Sequence, residues 1–243
     1  MFRTSKVRPY VPTLLPFFKT FALYFILFCS DPPSLTYCIF KCAPICCLIF
    51  FVHYQDLHIA AKNDLKEAER HRYSKCILSG LVLSCLGDAL LVGRALGLFV
   101  PGVLAFLIAH LAYLTAFGFR PLALPLLSPF LLSYLTINLF LSSYLSGLLT
   151  FLVPIYTLIL GTMLWRALAK SYTEEGGLRN LPSLSRVVGA VTFAVSDTLL
   201  AVEEFVCPLP LSQYSIMLTY YLAQLGLALS TVTIQPAKHR IIN

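Results

Sequence analysis

Apolar residues in this chain come in long blocks separated by short polar clusters, not in the alternating or one-faced patterns of elements that meet water. About 20 apolar residues carry a helix across the hydrocarbon core of a bilayer, and blocks of this length are helices whose solvent is lipid. Cutting at polar clusters, glycines and prolines predicts eight helices, at roughly 14–30, 35–53, 74–93, 98–117, 122–141, 144–168, 186–204 and 213–233. Pro121, Pro125 and Pro129 should delay or kink the start of the fifth. The first reaches full length if it begins near Leu14 and buries the stem of Lys19. No small-residue cleavage site follows that block, and Pro32-Pro33 reads as a turn, so it is expected to be a retained helix, not a signal peptide.

Composition agrees with this pattern. Of 243 residues, 58% are hydrophobic and 12% charged, too few charges to surface a water-soluble domain of this size. The expected class is an all-α membrane protein of eight transmembrane helices. Its expected organisation is a segment 1–13, a transmembrane domain 14–233 and a tail 234–243.

The net charge of +7 could suggest nucleic acid, but the basic residues form short clusters between apolar blocks, with no aromatic-interleaved stripe. Flanks of membrane spans account for them, and no nucleic-acid partner is expected. Numbering the loops of an eight-span chain puts every Lys and Arg except Arg94 and Lys41 on one side. By the positive-inside rule that side is cytoplasmic, together with both termini. Seven spans would spoil the segregation. Eight spans also allow a division into two parallel four-helix halves.

The stretch from His53 to Tyr73 mixes acids and bases and reads as a solvated cytoplasmic helix or loop, with no phosphate-binding glycine loop. The other loops are short, which leaves chemistry only in or beside the membrane. The eight cysteines lack the paired C-x-x-C and histidine spacing of a zinc site and read as reduced, small hydrophobes. No metal and no cofactor is called for.

Eleven residues are acidic, and nine of them fall in loops or near span ends. Asp88 and Asp197 do not. Each sits in a small-Asp-small-Leu-Leu core, Gly87-Asp88-Ala89-Leu90-Leu91 in the third span and Ser196-Asp197-Thr198-Leu199-Leu200 in the seventh. Those spans run in the same direction, so each Asp takes the third helix of its half, and repeated halves commonly place function at their interface. An intramembrane carboxyl group is costly and turns toward the bundle interior or a wet cavity. Desolvation disfavours the charged form of such a group, and one held protonated near neutral pH can act as a general acid. Two would let one donate a proton while the other activates water. The alternative is a buried polar pair that joins helices.

Other polar residues recur nearby. Lys41 interrupts the second span, His110 and Tyr113 share a face of the fourth, and Tyr220, Tyr221 and Gln224 lie in the eighth. Lys41 could meet a lipid phosphate or neutralise an aspartate, or snorkel to the interface. Together the six are candidates to line one polar cavity.

On these motifs the chain resembles the lysoplasmalogenase family, the YhhN-like membrane proteins. The matching elements are Lys41-Cys42-Ala43-Pro44, Gly87-Asp88-Ala89-Leu90-Leu91, Ala109-His110-Leu111-Ala112-Tyr113, Ser196-Asp197-Thr198-Leu199 and Thr219-Tyr220-Tyr221-Leu222-Ala223-Gln224. Leu15-Pro16-Phe17-Phe18-Lys19 and Phe117-Gly118-Phe119-Arg120-Pro121-Leu122 resemble the vertebrate branch. The resemblance implies hydrolysis of the vinyl-ether bond of lysoplasmalogens to a fatty aldehyde and glycerophosphoethanolamine or glycerophosphocholine. The paired catalytic aspartates of that family map onto Asp88 and Asp197. The resemblance also favours the endoplasmic reticulum membrane, with lysoplasmalogen and membrane lipids as partners and a homodimer left open. A proton-coupled transporter using the same aspartates is the principal rival. An intramembrane aspartyl protease fits poorly, because Cys85 stands where its Gly-x-Gly-Asp motif has the first glycine.

Overall fold

The computed structural model describes residues 11–59, 65–120, 122–173 and 177–232. These form eight α-helices and no strand. They are α1 (Val11–Leu23, continued by a π-helical turn over Tyr24–Phe28), α2 (Leu35–Ile59), α3 (Leu65–Val92), α4 (Phe99–Phe117), α5 (Leu127–Ser142), α6 (Leu149–Thr173), α7 (Leu181–Phe205) and α8 (Ser212–Leu229). Six segments, from α2 through α7, are long and apolar enough to cross a membrane, so the chain is a multi-pass integral membrane protein. The helical stretch Pro12–Phe28 is a shorter apolar one, and α8 carries Gln213, Thr219, Tyr220, Tyr221 and Gln224 along its length. Outward-facing Phe50, Leu132, Leu139 and Phe151 are largely exposed, as side chains solvated by lipid would be.

Two expectations are sharpened by the structure. The stretch from His53 to Tyr73 is mostly helix, because α2 runs on to Ile59 and α3 begins at Leu65. Lys19 lies on the outside of the bundle. The prolines act as expected: a short 3₁₀ turn over Leu124–Leu126 precedes α5, which starts at Leu127, with Pro129 in its first turn. Pro121, the terminal segments and the basic residues Arg3, Lys6, Arg8, Lys62, Lys238 and Arg240 lie outside the described residues.

Side-chain bonds fix which helix ends meet. At one end Tyr73, near the start of α3, bonds to Ser230 just past α8 and receives a bond from Arg186 near the start of α7. There Arg166 of α6 donates to the carbonyl of Gly118 after α4. At the opposite end Gln213 of α8 donates to Tyr24 and Tyr37, and Arg94 pairs with Glu204. The start of α1 and the end of α8 thus share the basic end of the bundle.

The most extensive helix pairs are α3–α4 and α7–α8, occupying the same places in the two halves of the chain. The α7–α8 pair is close because glycines face each other. A Cβ on Gly226 would stand 2.7 Å from the Ser185 carbonyl oxygen and 2.8 Å from the Gly189 Cα. In contrast α5 buries little and packs mainly on α6, to which Asn138 and Thr157 tie it by reciprocal hydrogen bonds.

Candidate active site

A cavity of about 880 Å³ opens among α2 to α8 and is walled mostly by apolar side chains. Both aspartates line it, as do Lys41, Tyr156 and Tyr220. A roomy, largely apolar pocket with a few convergent polar groups is the form a site for an apolar ligand takes.

Asp88 comes from the last turns of α3 and is 2% exposed. Its Oδ1 lies 3.3 Å from the Lys41 ammonium of α2, and its Oδ2 accepts a 2.6 Å hydrogen bond from the Tyr220 hydroxyl of α8. Lys41 is itself 8% exposed, so this is a buried ion pair and not a snorkelling side chain. Pro44, three residues on, removes a donor from the ladder of α2. In the same stretch the Lys41 carbonyl accepts a hydrogen bond from Tyr221.

Asp197 comes from the middle of α7, and its side chain keeps 12% of its surface open. Its Oδ2 accepts a 2.6 Å hydrogen bond from Tyr156 of α6 and lies 3.2 Å from His110 Nε2 of α4. That imidazole nitrogen is also 2.9 Å from the Tyr156 oxygen. A proton on Nε2 serves both contacts, which leaves Nδ1 as a buried acceptor without a partner. No hydrogen bond from a described residue reaches Asp197 Oδ1. The adjacent Ser196 anchors the turn by donating to the Ile216 carbonyl.

The two arrangements repeat a topology. Asp88 is held by the helix before its own and by the last helix of the other half; so is Asp197, through α6 and α4.

Of the six polar residues expected around one cavity, Lys41 and Tyr220 line it. His110, Tyr113, Tyr221 and Gln224 are fully buried behind the wall. Tyr113 donates to Gln224 Oε1 at 2.8 Å, which ties α4 to α8, and its ring occupies the space over Gly80 where a Cβ would stand. Sequence reasoning missed Tyr156. Its only signal is its place two residues after Pro154 in α6, the proline-bearing counterpart of α2. Among the described residues, no group of three or more His, Cys, Asp or Glu could hold a metal.

The model of the YhhN family matches residues 36–231, nearly the whole bundle. The chain belongs to the YhhN family. Its similarity to curated YhhN relatives runs nearly end to end. It is 39% identical to bovine lysoplasmalogenase TMEM86A (Bos taurus) over 91% of this chain and 89% of that protein. The human TMEM86A protein (Homo sapiens) is 38% identical, covering 94% of this chain and 92% of its own length. Human lysoplasmalogenase TMEM86B is 37% identical, over 90% and 86%. No solved structure matches the chain.

Proposed function

We propose that the protein is a lysoplasmalogenase, an ether-bond hydrolase that cleaves the vinyl ether of alkenyl-lysoglycerophospholipids to a fatty aldehyde and the glycerophospho-alcohol. Full-length similarity to proteins named for that activity supports the substrate. The observation that carries the chemistry is the unequal hydrogen bonding of two carboxyl groups on one cavity.

Both oxygens of Asp88 are engaged by donors, one a cation, which suits a carboxylate. Asp197 receives both donors on Oδ2, which leaves Oδ1 free to carry a proton into the cavity. In the first step Asp197 gives that proton to the vinyl carbon β to the ether oxygen. The double-bond electrons form the new C–H bond, and the α-carbon becomes an oxocarbenium cation. The Asp88 carboxylate stabilises this cation and removes a proton from the attacking water. The hemiacetal then expels the glycerol oxygen, which takes a proton as the carbonyl forms. Proton return from Asp88 to Asp197 restores the starting state. Tyr156 and Tyr220 hold the two carboxyl groups in position, and Lys41 balances the charge of Asp88.

The same proposal extends to topology. The chain crosses the membrane eight times with both termini cytoplasmic, and the endoplasmic reticulum is its proposed location. The lipid-exposed exterior and the segregation of basic residues to one bundle end support this arrangement.

The test is aldehyde release from a lysoplasmalogen by the detergent-purified chain. Wild type should release aldehyde, and Asp88→Asn and Asp197→Asn should not while remaining folded. A wild-type protein that yields no aldehyde across lipid and pH conditions, yet moves a solute against a proton gradient in proteoliposomes, would establish the transporter reading instead.

A further inference from the structure

The cavity changes character with depth. At 1.5 Å per residue, Asp88 lies roughly 6 Å inside the end of α3 and Asp197 roughly 12 Å inside the end of α7. Both ends are at the bundle face that carries the Arg94–Glu204 pair. Taken as the mouth of the cavity, that face lines it with the polar residues Asp31, Arg94, Glu204 and Gln213 beside apolar Phe99 and Phe205. Beyond the aspartates the lining becomes apolar, with Phe130 of α5, Leu160 and Leu164 of α6, and Val191 of α7. Leu164 stands about 22 Å from the same face along α6. The charged lining residues thus lie at the mouth, the aspartates deeper, and an apolar end beyond them.

We infer that Arg94, with Asp31 and Glu204, is the subsite for a zwitterionic phospholipid head group. The inference rests on the lysoplasmalogenase reading for the identity of the lipid, though not for the site itself. A glycerolipid phosphate lies five bonds from the ether oxygen, roughly 6 Å when extended. An ether oxygen at the depth of the aspartates thus sets the phosphate at Arg94 and the ammonium among the mouth carboxylates, while the chain fills the apolar end.

The mouth holds one cation and two anions, the complement of a phosphate followed by an ammonium. Arg94 Nη1 is 3.2 Å from Glu204 Oε2, and the arginine side chain is 59% exposed. Its guanidinium can turn from Glu204 to a phosphate with little loss, because an exposed pair is weak and a forked bond to phosphate is stronger. Glu204 is then free for the ammonium. The neighbouring Glu203 is not available, since it accepts the backbone N–H of Leu209.

The test uses saturated ethers, which bind without being cleaved. The full-length chain in detergent is titrated with 1-O-alkyl-glycerophosphoethanolamine, 1-O-alkyl-glycerophosphate and 1-O-alkylglycerol of one chain length. Wild type should bind the first at least about tenfold more tightly than the alkylglycerol. Arg94→Gln should cut that ratio roughly five- to tenfold without changing alkylglycerol binding, and Arg94→Lys should restore part of it. Glu204→Gln and Asp31→Asn should weaken the ethanolamine lipid but not the alkyl-glycerophosphate.

Unchanged ratios in Arg94→Gln, with circular dichroism matching wild type, overturn the assignment. So does equal loss of all three ligands. If the ratios respond to Arg94 while no vinyl ether is hydrolysed, the subsite stands and the hydrolase reading falls. If hydrolysis occurs while the ratios ignore Arg94, the reverse holds.

Discussion

Asp88 and Asp197 sit in matching sequence, on matching helices, with partners from topologically matching neighbours, but their surroundings differ in charge. Asp88 is almost sealed, and the Lys41 ammonium faces it. Asp197 keeps an opening to the cavity and is met by the Tyr156 hydroxyl and the His110 imidazole. A buried carboxylate needs a paired charge and full hydrogen bonding, and the α3 site supplies both. The α7 site supplies donors to one oxygen and leaves the other facing space. In the proposed mechanism one repeated motif serves as an anion and an acid, and the first predictions test whether it does.

The strongest test of that division separates activity from stability. Asp88→Asn and Asp197→Asn should each lower aldehyde release by about 10²–10⁴-fold, the range for loss of a general acid or base. Thermal unfolding should tell them apart. Asp88→Asn strands the Lys41 ammonium in the bundle and should cost about 3 kcal/mol, whereas Asp197→Asn should stay within about 1 kcal/mol of wild type. Equal destabilisation by the two substitutions would remove the distinction.

Lys41→Met probes the same pair from its other member. The variant leaves Asp88 buried without its cation and should lose both stability and most activity. Combining it with Asp88→Asn should recover stability to within about 1 kcal/mol of wild type, with activity still absent. Additive losses in the double variant would mean that the two side chains are not coupled. Tyr220→Phe and Tyr156→Phe should have smaller effects, about tenfold in kcat/KM each, as expected for one hydrogen bond to a carboxyl group. A much larger effect at Tyr156 would make the tyrosine itself a proton carrier.

Both aspartates were legible in the sequence because a charge inside a long apolar run has few structural reasons to be there. Lys41 was legible for the same reason, with an aspartate among its candidate partners, although which aspartate was not. Helix periodicity ranks the residues on one helix and is silent about which neighbouring helix each face meets. His110 and Gln224 were picked out as polar residues within spans, yet sequence could not tell the cavity wall from the layer behind it. Tyr156 escaped because a tyrosine in a span is ordinary, and only the approach of α6 to α7 gives it a role. The helix positions followed closely from hydropathy, since lipid demands continuous apolar stretches. The ends moved most where charged residues carry a helix past the core, as at His53 to Tyr73. The mouth pair, Arg94 with Glu204, lies 110 residues apart in sequence and follows only from the fold.

The smallest expected effect concerns the apolar end, away from the contrast between the aspartates. Gly161 of α6 faces Phe130 of α5, and a Cβ there would stand 1.7 Å from the ring. Because α5 is held mainly by α6, the ring and its helix can give way more easily than a fully packed pair could. Gly161→Ala should therefore fold and keep both aspartates active on short-chain substrates. It should disfavour the longest alkenyl chains by a few fold in kcat/KM, because the displaced ring narrows the far end of the cavity. Measuring kcat/KM against chain length checks this. A uniform loss at every length would show that Phe130 bears on the carboxyl groups themselves, and an unchanged profile would place the alkenyl chain elsewhere.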